Sequence, residues 1–376
     1  MRFCANIVLV KFNTSNFSKI IDLKLLIAYG SRGKFFHLKE FSEELEKQDV
    51  EVKLVKDTDF SNGFPSKKIS HWFNGDKKFK ELIKDFKPDV IFTDRQTHFG
   101  LHAIKTGIPT FVLLRGHYWQ EYFWGMKTLG KNLKTRITIW FRNRISEKIF
   151  REATAVLPIC KYLEDVVKEH HPHQNTGVFL EGINSERWYH TKKMELKHPC
   201  VGLVQDANWW GKTKELLILE EVLREMPDVY FYWAGDGYYR KEITERLENF
   251  ENFKWLGRLD YPEKIREFLE TIDVYALITG MDLAPLTLKE AQLMEKPVIA
   301  TDVGGDKEMM IDNKTGFLVK EGDSKDLIEK LSKLIQDKKL SEDMGKEGAK
   351  FIKEKFNWEL VAKNFLEIIR PYLKKR

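Results

Sequence analysis

A chain of 376 residues with 42% apolar content is long enough to bury two cores of ordinary size, which excludes a single small domain. Its 63 basic residues against 57 acidic ones leave a formal charge of +6, too evenly mixed to make a general case for nucleic acid. Three cysteines, Cys4, Cys160 and Cys200, stand far apart without a C-x-x-C pair, which fits a reducing cytoplasm and neither a disulfide framework nor a zinc site. The longest apolar run near the start, Cys4 to Phe12, is broken by Lys11 and falls far short of the ~18 to 20 residues that span a bilayer, so the reading is a soluble or peripheral protein.

In chain order, residues 1–23 are read as an extension, and the first predicted strand begins at Lys24 and runs to Tyr29. Further apolar runs of strand length follow at Val50 to Val55, Val90 to Thr93, Thr110 to Leu114, Ala155 to Ile159 and Val178 to Leu180, with helix-patterned segments between them. A polar stretch at 185–198 shows neither period and reads as a linker. A second series occupies Val201 to Val204, Val229 to Ala234, Phe253 to Leu256, Val274 to Ile278, Val298 to Thr301 and Phe317 to Val319. This alternation predicts an α/β protein with two parallel sheets, one in 24–184 and one in 199–355. A last helix is predicted in 356–376, with Asn357 as its N-cap and Leu360, Val361, Phe365 and Ile368 on one side.

Several positions carry chemistry. Tyr29-Gly30-Ser-Arg-Gly33 sits where the first strand turns into a helix, and its glycines permit close backbone approach to a phosphate or an acceptor. Between Gly125 and Arg151, eight cations including Lys131, Lys134, Arg136, Arg142 and Arg144 face the single acid Glu147, interleaved with apolar residues such as Trp140. That pattern reads as an amphipathic basic helix facing anionic lipid; the alternative is a helix packed on its own sheet with solvated cations outside. His170, His171 and His173 lack a completing ligand set and read as an exposed helix-end loop. Asp282 and Glu290 lie eight positions apart, the first in a loop and the second just inside a helix start, at the carboxyl edge of the second sheet. Carboxylates suit the diols of ribose and hexose, because each accepts two charge-assisted hydroxyl bonds.

The Asp282 to Glu290 run resembles the E-x7-E signature of the retaining glycosyltransferases of group 1 (GT4), which have the two-domain GT-B fold. Asp282 stands where that pattern usually has Glu, and Leu283-Ala284-Pro285-Leu286 replaces its glycine-rich continuation. Ile108 to Gly116, Asn175 to Asn184 and Val229 to Gly237 resemble other segments of the family in the same order. The resemblance covers the chain from residue 24 onward. It implies Glu290 on the donor ribose and Asp282 on the donor sugar, with Lys212 as the cation for the diphosphate; Lys214 or Arg258 replaces an arginine that the family has where this chain has Leu203. Arg115 or His117 would stabilise the leaving phosphate or position the sugar. Asp236 in Gly-Asp-Gly has two readings, a nucleotide contact and a turn-forming residue.

The implied activity is transfer of a hexose from a nucleotide-diphosphate sugar to a glycan or lipid-linked acceptor, with retention of configuration, no metal and no protein nucleophile. The donor would sit on the second domain and the acceptor on the first, and the final helix would cross back to the first. The implied location is the cytoplasm, peripheral at the inner face of the membrane. Two alternatives stand beside this one, a GT-B sugar-nucleotide epimerase and a non-catalytic GT-B scaffold subunit.

Overall fold

The computed structural model describes residues 23–30, 32–66, 72, 75–128, 130 and 132–373. The expected extension at 1–23 therefore lies outside the described residues except for Leu23, and so does Lys131. The apolar runs of the first half form five strands: β1 (Leu23–Tyr29), β2 (Val50–Lys56), β3 (Val90–Thr93), β4 (Thr110–Leu114) and β5 (Ala155–Pro158). They pair in parallel in the order β2-β1-β3-β4-β5. β3, β4 and β5 are buried along their whole length, as continuous apolar runs must be when helices cover both faces of a parallel sheet.

The second half repeats the plan with β6 (Cys200–Val204), β7 (Tyr230–Ala234), β8 (Phe253–Gly257), β9 (Val274–Leu277), β10 (Val298–Thr301) and β11 (Gly316–Val319). All are parallel, in the order β11-β10-β9-β6-β7-β8. The order reverses at β6 in the second sheet and at β1 in the first, and such switch points are where open sheets of this kind offer a crevice.

One expected strand is not formed. Val178 to Leu180 adds no rung to the first sheet; Thr176 makes an isolated bridge with Val156, and Phe179 donates its N–H to the Pro158 carbonyl at 2.8 Å. Phe179 instead points its ring into a cluster with Phe41, Phe92 and Phe365. Phe365 belongs to the Trp358–Ile369 helix, which Asn357 caps by accepting from Leu360 N at 2.8 Å. This helix comes from the far end of the chain and packs on the Arg32–Glu46 helix of the first domain. Between the domains, Asn184 caps a short 3-10 turn at Ser185–Arg187, and the chain then runs without regular structure to β6.

Candidate functional site

The carboxyl ends of β4, β6, β7, β8 and β9 converge on a cleft of about 680 Å3 between the two domains. The first domain contributes Arg115, Gly116, His117, Glu121 and Glu181; the second contributes Gln205, Lys212, Arg258, Tyr261, Asp282 and Glu290. Parallel strands all end on this edge, so a short loop after each one delivers a side chain to the same place.

Glu290 lies at the floor. It is not at a helix start: it is the fifth residue of Leu286–Leu293, and Pro285 sets where that helix begins. The Tyr261 hydroxyl donates to its Oε1 at 2.9 Å, while Oε2 is buried without a hydrogen-bond partner. Burial pushes this carboxyl up to about 7, against the opposing effects of the Tyr261 bond and of Lys289. That oxygen can accept from a donor group placed in the cleft.

Asp282 sits in the loop after β9 and pairs closely with the Lys212 ammonium. The loop is clamped from below by two glycines. Gly304 has φ +52°, and a Cβ there would fall 2.0 Å from the Asp282 carbonyl; Gly305 donates its N–H to that carbonyl at 3.1 Å. Lys212 itself lies within the four-residue helix Trp210–Thr213. Behind the pair stands Asp306, fully buried, with both carboxylate oxygens unpartnered. Burial, and then the charge of Asp282, raises its carboxyl well above the ordinary range.

Arg115 is not a free cation over the cleft. Its Nε donates to Asp94 at 2.7 Å and its Nη1 pairs closely with Glu181, so two carboxylates claim its charge. His117 remains available. Gln120 N donates to its Nδ1 at 3.3 Å, which leaves Nε2 as the protonated nitrogen, and partial burial lowers its basicity so that it stays neutral at pH 7. Arg258 lines the cleft with Asp206 3.5 Å away and is largely exposed.

Other expected positions fall elsewhere. Asp236 closes its own turn, accepting from Gly237 N at 2.8 Å and pairing with Arg240 at 3.4 Å, and does not line the cleft. Lys214 points away toward Glu321 at 3.7 Å. Gly30 packs against the Arg95 side chain and lines neither the cleft nor the cavity described next, and Gly33 lies within the Arg32–Glu46 helix. His171 is not an exposed loop residue, since it pairs with Glu147 at 3.0 Å, and His170 stacks on Trp119 at 4.1 Å.

A second cavity of about 1000 Å3 opens in the first domain and shares Arg115, Gly116 and Glu121 with the cleft. Arg95, His98, Tyr118 and Arg142 also line it. The basic helix spans Leu133–Glu152, and Arg142 is its contribution to this wall, while Lys134, Arg136, Trp140 and Arg144 are exposed. Its last turns pack into the first-domain core through Ile149 and Phe150, with Ile145 partly buried against it, whereas Leu133, Ile137, Trp140 and Phe141 of the earlier turns are exposed.

Sequence reasoning missed Tyr261, Glu181, Asp306 and Glu308. Glu308, three residues beyond Gly305, reaches across to the first domain and accepts from the N–H groups of Lys161 and Tyr162 at 2.7 and 2.8 Å, capping the Lys161–His170 helix. A polar residue shortly after a glycine pair was the available signal; its partner is 147 residues away and is invisible in sequence. His198, Cys200 and Asp273 come within 4.8 Å of one another at the amino ends of β6 and β9, on the edge opposite the cleft. There the Asp273 carboxylate is already occupied by Cys200 N and His198 Nδ1, each at 2.7 Å.

Residues 211–351 match the family described as glycosyl transferases group 1. An uncharacterized glycosyltransferase of Methanocaldococcus jannaschii is 26% identical over 297 residues, which is 77% of this chain and 78% of that protein. The trehalose synthase of Pyrococcus furiosus is 29% identical over 175 residues, 44% of this chain and 42% of that protein, so the match spans less than half of it. Sucrose-phosphate synthase from Thermosynechococcus elongatus superposes with a TM-score of 0.70 at 14% identity, over 93% of this chain and 99% of that one. HepE of Anabaena, solved in complex with UDP and glucose, gives 0.66 at 16% identity, over 93% and 100%. The chain has the GT-B fold, and the group 1 glycosyltransferase match lies in its second domain.

Proposed function

We propose that the chain moves a hexose from a nucleotide-diphosphate sugar to a glycan or lipid-linked acceptor, with retention of anomeric configuration. The observation that carries this reading is Glu290, a buried carboxylate with one oxygen taken by Tyr261 and the other open, beside the Lys212–Asp282 pair. A ribose diol supplies the missing donors to Glu290. A diphosphate draws Lys212 away from Asp282, whose carboxylate then accepts from the sugar hydroxyls, and Arg258 adds a second cation at the rim. Those two cations meet the diphosphate charge, so the reading calls for no metal. His117, neutral with Nε2–H outward, donates to the sugar or to the departing phosphate oxygen.

With Glu290 assigned to the ribose and Asp282 to the sugar hydroxyls, the reaction uses no protein nucleophile. The leaving phosphate departs while the acceptor hydroxyl approaches on the same face from the first domain, and rate comes from orientation, closure and charge stabilisation. The second cavity is the acceptor site, since it shares a wall with the cleft. Among the described residues no helix is long and apolar enough to cross a membrane, and the reading places the protein in the cytoplasm, peripheral at the inner membrane face, with no nucleic-acid partner. The solved complex of HepE makes UDP-glucose the first donor to try.

The test is nucleotide release and product mass from a panel of UDP- and GDP-sugars with lipid and glycan acceptors. One donor is expected to support transfer, and Glu290→Gln to lose about 30- to 150-fold in kcat/KM, the ~2 to 3 kcal/mol of charge-assisted bonds. Donor binding without turnover on any acceptor would overturn the transferase reading and leave the scaffold and epimerase readings.

A further inference from the structure

Helical amphipathicity normally turns its apolar stripe inward, but the first three turns of the Leu133–Glu152 helix do the reverse. Leu133, Ile137, Trp140 and Phe141 recur at helical spacing on one side, and they are 72%, 43%, 43% and 37% exposed. The stripe does not end with the helix. Phe141 meets Phe64 at 4.9 Å and Phe64 meets Trp72 at 4.8 Å, both of these also 37% exposed, so residues from two distant segments build one outward aromatic plate. Cations ring it: Lys134, Arg136 and Arg142 are exposed, and the Arg144 guanidinium lies 5.0 Å over the Trp140 ring. The acids of the same helix are engaged elsewhere, Glu147 by Trp119 and His171 and Glu152 by Lys148.

The plate adjoins the second cavity. Pro65 and Ser66 of the cavity wall follow Phe64 directly, and Arg142 follows Phe141. His98 Nε2 donates to the Phe64 carbonyl at 2.9 Å, which fixes the Phe64 turn on that wall. A second copy of the chain is a poor occupant, because a twofold contact would set this arginine-rich rim against itself. An anionic bilayer fits on both counts: aromatic side chains belong at the headgroup boundary, and the flanking cations meet its charge.

We propose that this plate seats the first domain on an anionic bilayer with the second cavity opening at headgroup depth, so that the acceptor is an amphiphile whose polar head enters from the lipid. This rests on the reading of that cavity as the acceptor site.

The full chain is sedimented with vesicles of phosphatidylcholine alone and of phosphatidylcholine mixed with phosphatidylglycerol. It is expected to bind the mixed vesicles only, and less at high salt. The double variant Leu133→Glu, Ile137→Glu touches neither cavity; it should bind at least ~tenfold less while keeping its circular dichroism and its donor-dependent nucleotide release. Brominated lipid should quench tryptophan emission of the native chain and quench Trp140→Phe less. Equal binding to both vesicle types, or unchanged binding of the double variant, would overturn the seating. A dimer that the double variant dissolves would make the plate a protein interface and overturn it too. Nucleotide release without vesicle binding sinks the seating and spares the transferase; vesicle binding without any donor turnover does the reverse.

Discussion

Glu290 sets a pH dependence. Burial raises its carboxyl from the ordinary 4.5 to about 7, so the group is mostly protonated at pH 6 and mostly ionised at pH 8. Ribose hydroxyls donate to the ionised form. Nucleotide binding is therefore expected to release a proton, and to tighten by up to ~tenfold as pH rises from 6 to 8. Calorimetry of UDP or GDP binding in buffers of differing ionisation enthalpy reads the released proton directly, and Glu290→Gln should flatten the profile. An affinity independent of pH in the native chain would refute the assignment. The sequence marked Glu290 by its spacing from Asp282, yet placed it just inside a helix start. Its burial, and the Tyr261 hydroxyl that shares it, depend on the loop after β8 folding over it, and no local pattern records that. Arg115 shows the same limit. Its position after β4 was legible, but its two carboxylate partners lie 21 and 66 residues away.

The Lys161–His170 helix is an element of the first domain whose N-terminal cap belongs to the second. Cys160 stands at the N-cap position without a capping bond of its own, and Glu308 supplies the acceptor for two of the N–H groups left open there. Glu308→Ala is expected to cost about 1 kcal/mol or slightly more and to accelerate hydrogen exchange at Lys161 and Tyr162. Unchanged exchange at those two amides would show that the cap carries no stability. Strands were the best-read elements, because a buried parallel strand is an uninterrupted apolar run. The exception, Val178 to Leu180, is apolar for another reason, the seal that Phe179 makes with Phe41, Phe92 and Phe365. The direction of the stripe on the Leu133–Glu152 helix was hidden for a related reason. Periodicity reports that one side is apolar and says nothing about what that side meets.

At the scale of the whole molecule, the two sheets are joined twice, by the 185–199 connection and by the Trp358–Ile369 helix. Phe365 of that helix touches Phe41 at 5.2 Å and Phe92 at 5.1 Å, so the first domain's core is completed by the end of the chain. Phe365→Ala is expected to remove about 3 to 5 kcal/mol and to lower the melting temperature of the first domain by about 10 °C. Scanning calorimetry checks this, and a shift confined to the second domain would contradict it. The helix that carries Glu290 spans the same divide. Its neighbouring residue Lys289, wholly buried, donates to the Glu181 carbonyl of the first domain at 2.8 Å, and the Glu181 carboxylate holds Arg115 at the wall between the two cavities. One helix thus links the residues that line the two cavities. Whatever free energy the donor contributes to ordering the acceptor wall must, by thermodynamic reciprocity, be returned in full when the acceptor binds first.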